Sequence, residues 1–406
     1  MSTSIEKPKF QSINLPTEDE IEEEANSGTG GVLLPFSDKV QLNSFFFKDI
    51  FADGNLTTPG QSARFVPLFY VSSNIALLFS GLLTGYFKDQ RSKLTFAQAE
   101  WIYNGFFIFA GMLILGIYAL KYYLENYVTC KQIFIKKDVK KKGPKVKVSF
   151  SEGLSEMMAS KLLLNISLIV MFYGISTNLI ESTFKNGLTK GAELEGIPTK
   201  DYAMDFSSRE QQIASVLVMV LLLSPFPKLI QTRGWIYVAI VCPLITLFSL
   251  ITVFGLAFYN YPGTNNDKNF FLTGLCASQG NTLIKLENWL GVIAVALMKV
   301  AKYASFDISK ESISMLIDSM LRARYKGIFD GVFGKLGKSL GSLFVWIMGY
   351  LFQTRDIRKC APIAAAVIFG FVLIWIYSVI YLNKKYKEAV DNNTPIDIDL
   401  FIKRKY

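Results

Sequence analysis

GVFGKLGKSLGS, residues Gly331 to Ser342, admits two readings that lead to different folds. As a phosphate-binding loop it would mark a soluble α/β nucleotide hydrolase, whereas as the start of a glycine-striped helix it belongs to an all-α chain. The hydrolase loop needs a glycine, four residues, and then Gly-Lys-Ser, which puts a glycine at position 332. Val332 stands there, no buried strand pattern precedes the stretch, and the apolar run Ser339 to Phe352 overlaps its end. On a helix, Gly334, Gly337 and Gly341 fall three and four apart and make a smooth stripe where a second helix can lie close. Lys335 and Lys338 are three apart and share the neighbouring face. Two roles stay open for these lysines: snorkelling to cytoplasmic headgroups, or holding an anionic substrate at the mouth of a cavity, since an intramembrane lysine is costly without an anion.

Outward from this stretch the 406 residues are 51% hydrophobic, 14% aromatic and 19% charged, with the apolar residues collected in runs between charged loops. The runs are Pro67 to Phe87, Trp101 to Leu120, Leu162 to Ile180, Ile213 to Pro227, Trp235 to Phe258, Ile284 to Tyr303, Ser339 to Phe352 and Ala361 to Leu382. Eight membrane helices are expected, those near 213, 284 and 339 being short or lysine-bearing and therefore inside a bundle. The fold class that follows is an all-α polytopic membrane protein.

The chain has no histidine, which excludes histidine-dependent metal sites and triads, and its four cysteines show no paired spacing. No nucleophile-base pair is visible, so neither an enzyme nor a cofactor is expected. The first 42 residues, with the acidic run TEDEIEEE at Thr17 to Glu24, read as a disordered cytoplasmic tail without a cleavable signal peptide. Gly31 to Phe51 carries Asp38, Lys39, Lys48 and Asp49 and reads as amphipathic.

Lys121 to Lys147 holds nine lysines against Glu125 and Asp138 and should face the cytoplasm. The loops Lys185 to Gln212 and NYPGTNNDKNFF then face out, Lys310 to Lys335 faces in, and both termini are cytoplasmic. The basic turn QTRDIRKC lands outside, which is the one inconsistency. The basic loop at 121–160 would divide a partial first bundle, 43–120, from a six-helix second bundle, 161–383, with a cytoplasmic tail at 384–406. That is a major-facilitator-like, two-bundle carrier whose midplane site alternates between faces.

Charged residues inside the second bundle favour a phosphate cavity. Lys299 and Lys302 sit three apart in an apolar run, followed by Asp307, Lys310 and Glu311, and Glu181 lies four residues from Lys185. Polyphosphate needs several cationic partners. The net charge of +10 is mostly loop lysine facing anionic lipid, and no nucleic-acid partner is expected.

At these residues the sequence resembles the non-mitochondrial ATP/ADP translocases, the nucleotide transporters of plastids and intracellular parasites. The resemblance runs from about Ala52 to Leu382 through LTTPGQSARFVPLFYVSSNIALLFSG, YGISTNLIESTFK, AKYASFDISKE and ARYKGIFDGVFGKLGKSLGS, in family order. It implies transport of ATP, ADP or a related nucleotide, by exchange or import, at a parasite surface or an organelle envelope. Carried over position by position, it implies that Lys338 recognises phosphate and that Glu181 acts as a gating or charge-balancing partner. Lys185, Lys299, Lys302, Lys310, Arg324, Lys326 and Asp330 also fall on matching positions. Asn55 stands where the family has a glutamate and Leu340 where it has a glycine, and a proline expected after Lys310-Glu311 is absent. The family's first three or so helices have no counterpart. The expectation is therefore either a carrier, with a second transporter chain as a candidate source of those helices, or a degenerate relative acting as a membrane scaffold.

Overall fold

The computed structural model describes residues 59–123, 126–127, 154–392, 394 and 396, with 92, 156, 227–228, 268–269, 271–272, 318–321 and 323–324 excepted. The acidic tail, the Gly31 to Phe51 segment, Asn55, most of the basic loop and Arg324 lie outside the described residues.

Helix accounts for nearly all of what is described. The order is α1 (Pro59–Arg91), α2 (Phe96–Tyr123), α3 (Lys161–Glu195), α4 (Thr199–Leu223), two short turns (Leu229–Thr232 and Trp235–Ala239), α5 (Val241–Asn265) and α6 (Ile284–Ala301). A π-helical turn (Lys302–Phe306) joins α6 to α7 (Asp307–Met315), a second one (Gly327–Phe333) leads into α8 (Gly334–Leu351), and a 3-10 turn (Ile357–Cys360) leads into α9 (Ala361–Asn392). Among the described residues, five spans are long and apolar enough to cross a membrane: Ala97–Tyr123, Lys161–Glu195, Trp235–Asn265, Ile284–Met315 and Ile357–Asn392. The other three expected spans form helices, α1, α4 and α8, but miss that apolarity; in α4 and α8 the reason is buried polar residues and a lysine-bearing glycine stripe.

The chain divides into two compact units, one of Met1–Phe65 with Gly105–Val146, the other of Val66–Asn104 with Lys147–Tyr406. Most of α1 falls in the second unit, where Gly81 lies against Ser208, Gln211 and Gln212 of α4. In the first unit the described part of α2 shows Phe107, Leu115 and Tyr118 exposed.

The expected outer loop from Lys185 to Gln212 is not a loop. Helix α3 runs on to Glu195, where Gly196 adopts a left-handed φ of 67° and ends it, and α4 begins at Thr199. The polar composition that suggested a loop is a buried polar interface. A Cβ on Gly187 would meet Glu287, and one on Gly191 would meet Asn288 and Tyr202. Ser208 Oγ donates to the Gly81 carbonyl at 2.7 Å, so α1 packs on the same polar face. At the far end α9 continues past Leu382 to Asn392, beyond the expected start of the tail. Ile396 N donates to the Leu316 carbonyl at 2.8 Å in a parallel bridge, and Tyr386 stacks on Trp235 with centroids 5.8 Å apart.

The glycine stripe of α8 packs on α3 as its spacing predicts. A Cβ on Gly337 would strike the Met171 carbonyl, one on Gly341 would sit 2.9 Å from Asn178 Cβ, and one on Gly174 would sit 3.2 Å from the Lys338 backbone nitrogen. Val170 faces Gly334 and Asn178 Nδ2 reaches Ser342 at 3.3 Å, so residue numbers rise together along both helices and the pair is parallel. Close approach of this kind gains dispersion contacts that lipid cannot match. Gly337→Ala is expected to cost roughly 1–3 kcal/mol by forcing the helices apart. Gly334→Ala, with only the Val170 side chain at 3.6 Å, has room for its methyl and should be neutral or slightly stabilising. Unfolding temperatures of the two variants in detergent check this contrast.

Candidate functional site

Two groups of charge lie along the α3, α4, α6 and α7 helices with an aromatic layer between them. The first begins with Glu181 on α3, whose carboxylate is 3.9 Å from Lys185 Nζ, both side chains being open to solvent at 41% and 72%. A pair so exposed is worth little stability. Across from it, Lys299 Nζ lies 2.9 Å from Glu210 Oε1 and donates to Oε2 at 3.0 Å. Glu181 and Lys185 also act electrostatically on that carboxylate, so the four residues form one neighbourhood of balanced charge.

The second group surrounds the junction of α6 and α7. Lys310 is buried and lies 2.6 Å from Asp330 and 3.5 Å from Asp307, with Phe306 beneath its ammonium at 5.8 Å. Lys326 pairs with Glu311, and Arg322 adds a positive field there. Lys302 sits over the Tyr303 ring at 5.0 Å. The π-helical turn at Lys302–Phe306 explains why this polar cluster shares a helix with an apolar run. One extra residue per turn re-aims the side chains that follow.

Between the groups, Tyr173 stacks on Phe306 at 5.1 Å, Phe306 meets Trp375 edge-on at 5.9 Å, and Tyr303 faces Tyr70 of α1 at 5.7 Å. Tyr173 feels both Asp307 and Glu181, which places it between the two charge groups. Gly174, the next residue, carries the Lys338 backbone against it. Lys338 is in the second turn of α8, beside the middle part of α3.

Of the described cations expected at the site, Lys299, Lys310 and Lys326 are neutralised by carboxylates of the chain itself, Lys185 is loosely paired and Lys302 rests on a ring. Lys338 is exposed and has neither a carboxylate nor a ring partner among the described residues. Glu181, Lys185 and Lys299 are brought together, as are Lys310, Lys326 and Asp330. A separate recess where α3 turns into α4 is lined by Lys88, Asp201, Tyr202, Asp205, Lys285 and Trp289. Its lysines are already paired, Lys88 with Asp205 at 3.1 Å and Lys285 with Glu195 at 3.5 Å, leaving no spare cation for phosphate.

Residues 39–386 match the family described as TLC ATP/ADP transporter. The chain belongs to this family. It is 40% identical over 346 residues to ADP,ATP carrier protein 1 of Encephalitozoon cuniculi, covering 85% of this chain and 62% of that protein. It is 35% identical over 344 residues to ADP,ATP carrier protein 1 of Paranosema grylli (84% and 62% covered), and 30% identical over 339 residues to ADP,ATP carrier protein 1 of Chlamydia trachomatis (82% and 61%). The chain thus spans about three-fifths of the length of these curated relatives. No solved structure matches it. Every one of these relatives is a carrier by name, and none supports the scaffold reading.

Several polar residues of this TLC family member escaped the sequence reading. Glu210 sits in DFSSREQQ, a stretch read as loop. Arg358 is 0% exposed and reaches Glu287, itself 3% exposed, at 3.3 Å, Asp356 at 2.8 Å and Thr264 at 3.1 Å. Asn260 Nδ2 donates to Glu287 at 2.9 Å and completes a buried network joining α5, α6 and the turn before α9. The one available signal was a glutamate, Glu287, at the start of an apolar run.

Proposed function

We propose that the chain carries nucleotide, ATP, ADP or a close relative, across a membrane by alternating access, in exchange or import, with no covalent step. The observation that supports this most directly is Lys338, exposed and without a carboxylate or ring partner among the described residues, on a helix held against α3 by a glycine crossing. A lysine there is costly unless an anion comes to it, and Lys299, Lys310 and Lys326 are already paired with carboxylates of the chain. Lys338 would take a phosphoryl oxygen first. Glu181, solvent-open and close to Lys299 and Lys185, would balance charge as the site empties and fills.

Within this reading the two-bundle architecture and the cytoplasmic placement of both termini are proposals too, as is a parasite surface or organelle envelope for the membrane. The basic turn QTRDIRKC weighs less against that orientation than its composition suggests. Arg358 is spent on an internal network and Lys359 lies 3.7 Å from Asp267, which leaves Arg355 as the exposed cation of the turn.

Reconstituted vesicles bearing the chain should take up labelled ATP, faster when preloaded with ADP, and either nucleotide should raise the unfolding temperature of the detergent-purified chain. The absence of both uptake and stabilisation with every nucleotide would overturn the reading.

A further inference from the structure

Lys299 lies roughly midway along the span Ile284–Met315, where an uncompensated ammonium is least tolerable. Its compensation comes from a different helix. Glu210 projects from the middle of α4 and accepts a hydrogen bond from the ammonium at Oε2, 3.0 Å away, with Oε1 2.9 Å from the same nitrogen. The two partners differ in access: the Glu210 side chain is 9% exposed, whereas that of Lys299 is 31% exposed. The cation can therefore be reached from open space while its carboxylate stands behind it.

We propose that Glu210 is an internal rival of the substrate for Lys299: it occupies the ammonium when the site is empty, yields it to an incoming phosphoryl group, and reclaims it to drive release. Glu210 is then a positioning residue, acting on nucleotide only through Lys299. This rests on the nucleotide-carrier reading above. Three features make the exchange feasible. The pair is salt-bridged but half open, so a phosphoryl oxygen can approach without unfolding the helix. Glu181 and Lys185 lie in the same electrostatic neighbourhood, and Lys185, only loosely paired, offers a second cation to the incoming anion. A carboxylate left behind by a departing lysine is strained by burial and so favours the lysine's return.

The prediction separates rivalry from mere support. Glu210→Gln keeps an oxygen to accept from Lys299 but removes the competing charge, so ATP and ADP should bind about tenfold more tightly while the maximal exchange rate falls about tenfold through slow release. A residue that only holds α4 to α6 would, on replacement, weaken binding and rate together. Binding is read as the ATP concentration needed to raise the unfolding temperature, and rate as labelled ADP exchange in preloaded vesicles. Should the glutamine variant not fold, Glu210→Asp, which keeps the charge with a shorter reach, should show the same opposed shifts at a smaller size. Unchanged or weaker binding in a folded variant, beside a wild type that binds and exchanges nucleotide, overturns this inference alone. A wild type that neither binds nor exchanges overturns it together with the carrier reading.

Discussion

Lys338→Ala is expected to lower nucleotide affinity by roughly 10- to 150-fold while leaving the chain as stable as before. The size follows from the loss of one charge-assisted hydrogen bond to phosphate, about 1.5–3 kcal/mol, at about 1.4 kcal/mol per decade. The unchanged stability follows from the absence of any carboxylate or ring against Lys338, since its removal strands no opposite charge. Lys310→Ala makes the control. That substitution leaves Asp307 and Asp330 facing each other with their shared cation gone, so it should destabilise the chain by several kcal/mol before any effect on transport can be read. Lys338→Arg keeps the charge but replaces a point donor with a planar fork, and should recover part of the affinity. Uptake and unfolding temperature, measured together on the three variants, separate a ligand-seeking lysine from a structural one. Equal ATP affinity in wild type and Lys338→Ala would remove Lys338 from the site.

Arg358→Ala carries the larger expected cost in stability, about 3–5 kcal/mol. The guanidinium is fully buried and bonds Glu287, Asp356 and Thr264 at once, so truncation leaves Glu287 with only Asn260 against it. At roughly 2–4 °C per kcal/mol for a domain of this size, the unfolding midpoint should fall by about 10 °C. Glu287→Gln, which retains acceptors for Arg358 and Asn260, should cost less. The measurement is thermal unfolding in detergent, and a midpoint within about 2 °C of wild type for Arg358→Ala would show that the network contributes little.

The legible part of this chain was the part written in periodicity. Gly334, Gly337 and Gly341 at three and four residues announce a helix crossing on their own, and the crossing is there against Val170, Met171 and Asn178. Long apolar runs likewise marked the helices, because lipid-facing surfaces need many apolar residues in a row. Partner choice was not legible. Glu210 lies far from Lys299 in the chain, and a glutamate among serines and glutamines has the composition of a loop until another helix covers it. For the same reason the sequence could name Lys299, Lys310 and Lys326 only as candidate site residues beside Lys338; the fold shows that these three already have carboxylates. The π-helical turns left no trace in composition, yet they decide where Lys302, Asp307 and Asp330 project.

The bridge between Ile317 and Ile396 bears on how force could travel through the molecule. It fastens the end of α7 to the chain just beyond α9, while Tyr386 on Trp235 braces the same corner against the turn before α5. Elements far apart in sequence are pinned at one end of the bundle, so a pull on α7 is borne by α9 and passed along its length. The described bundle is thus clamped at this corner by a backbone bridge as well as a ring stack, so load on α7 is shared with α9.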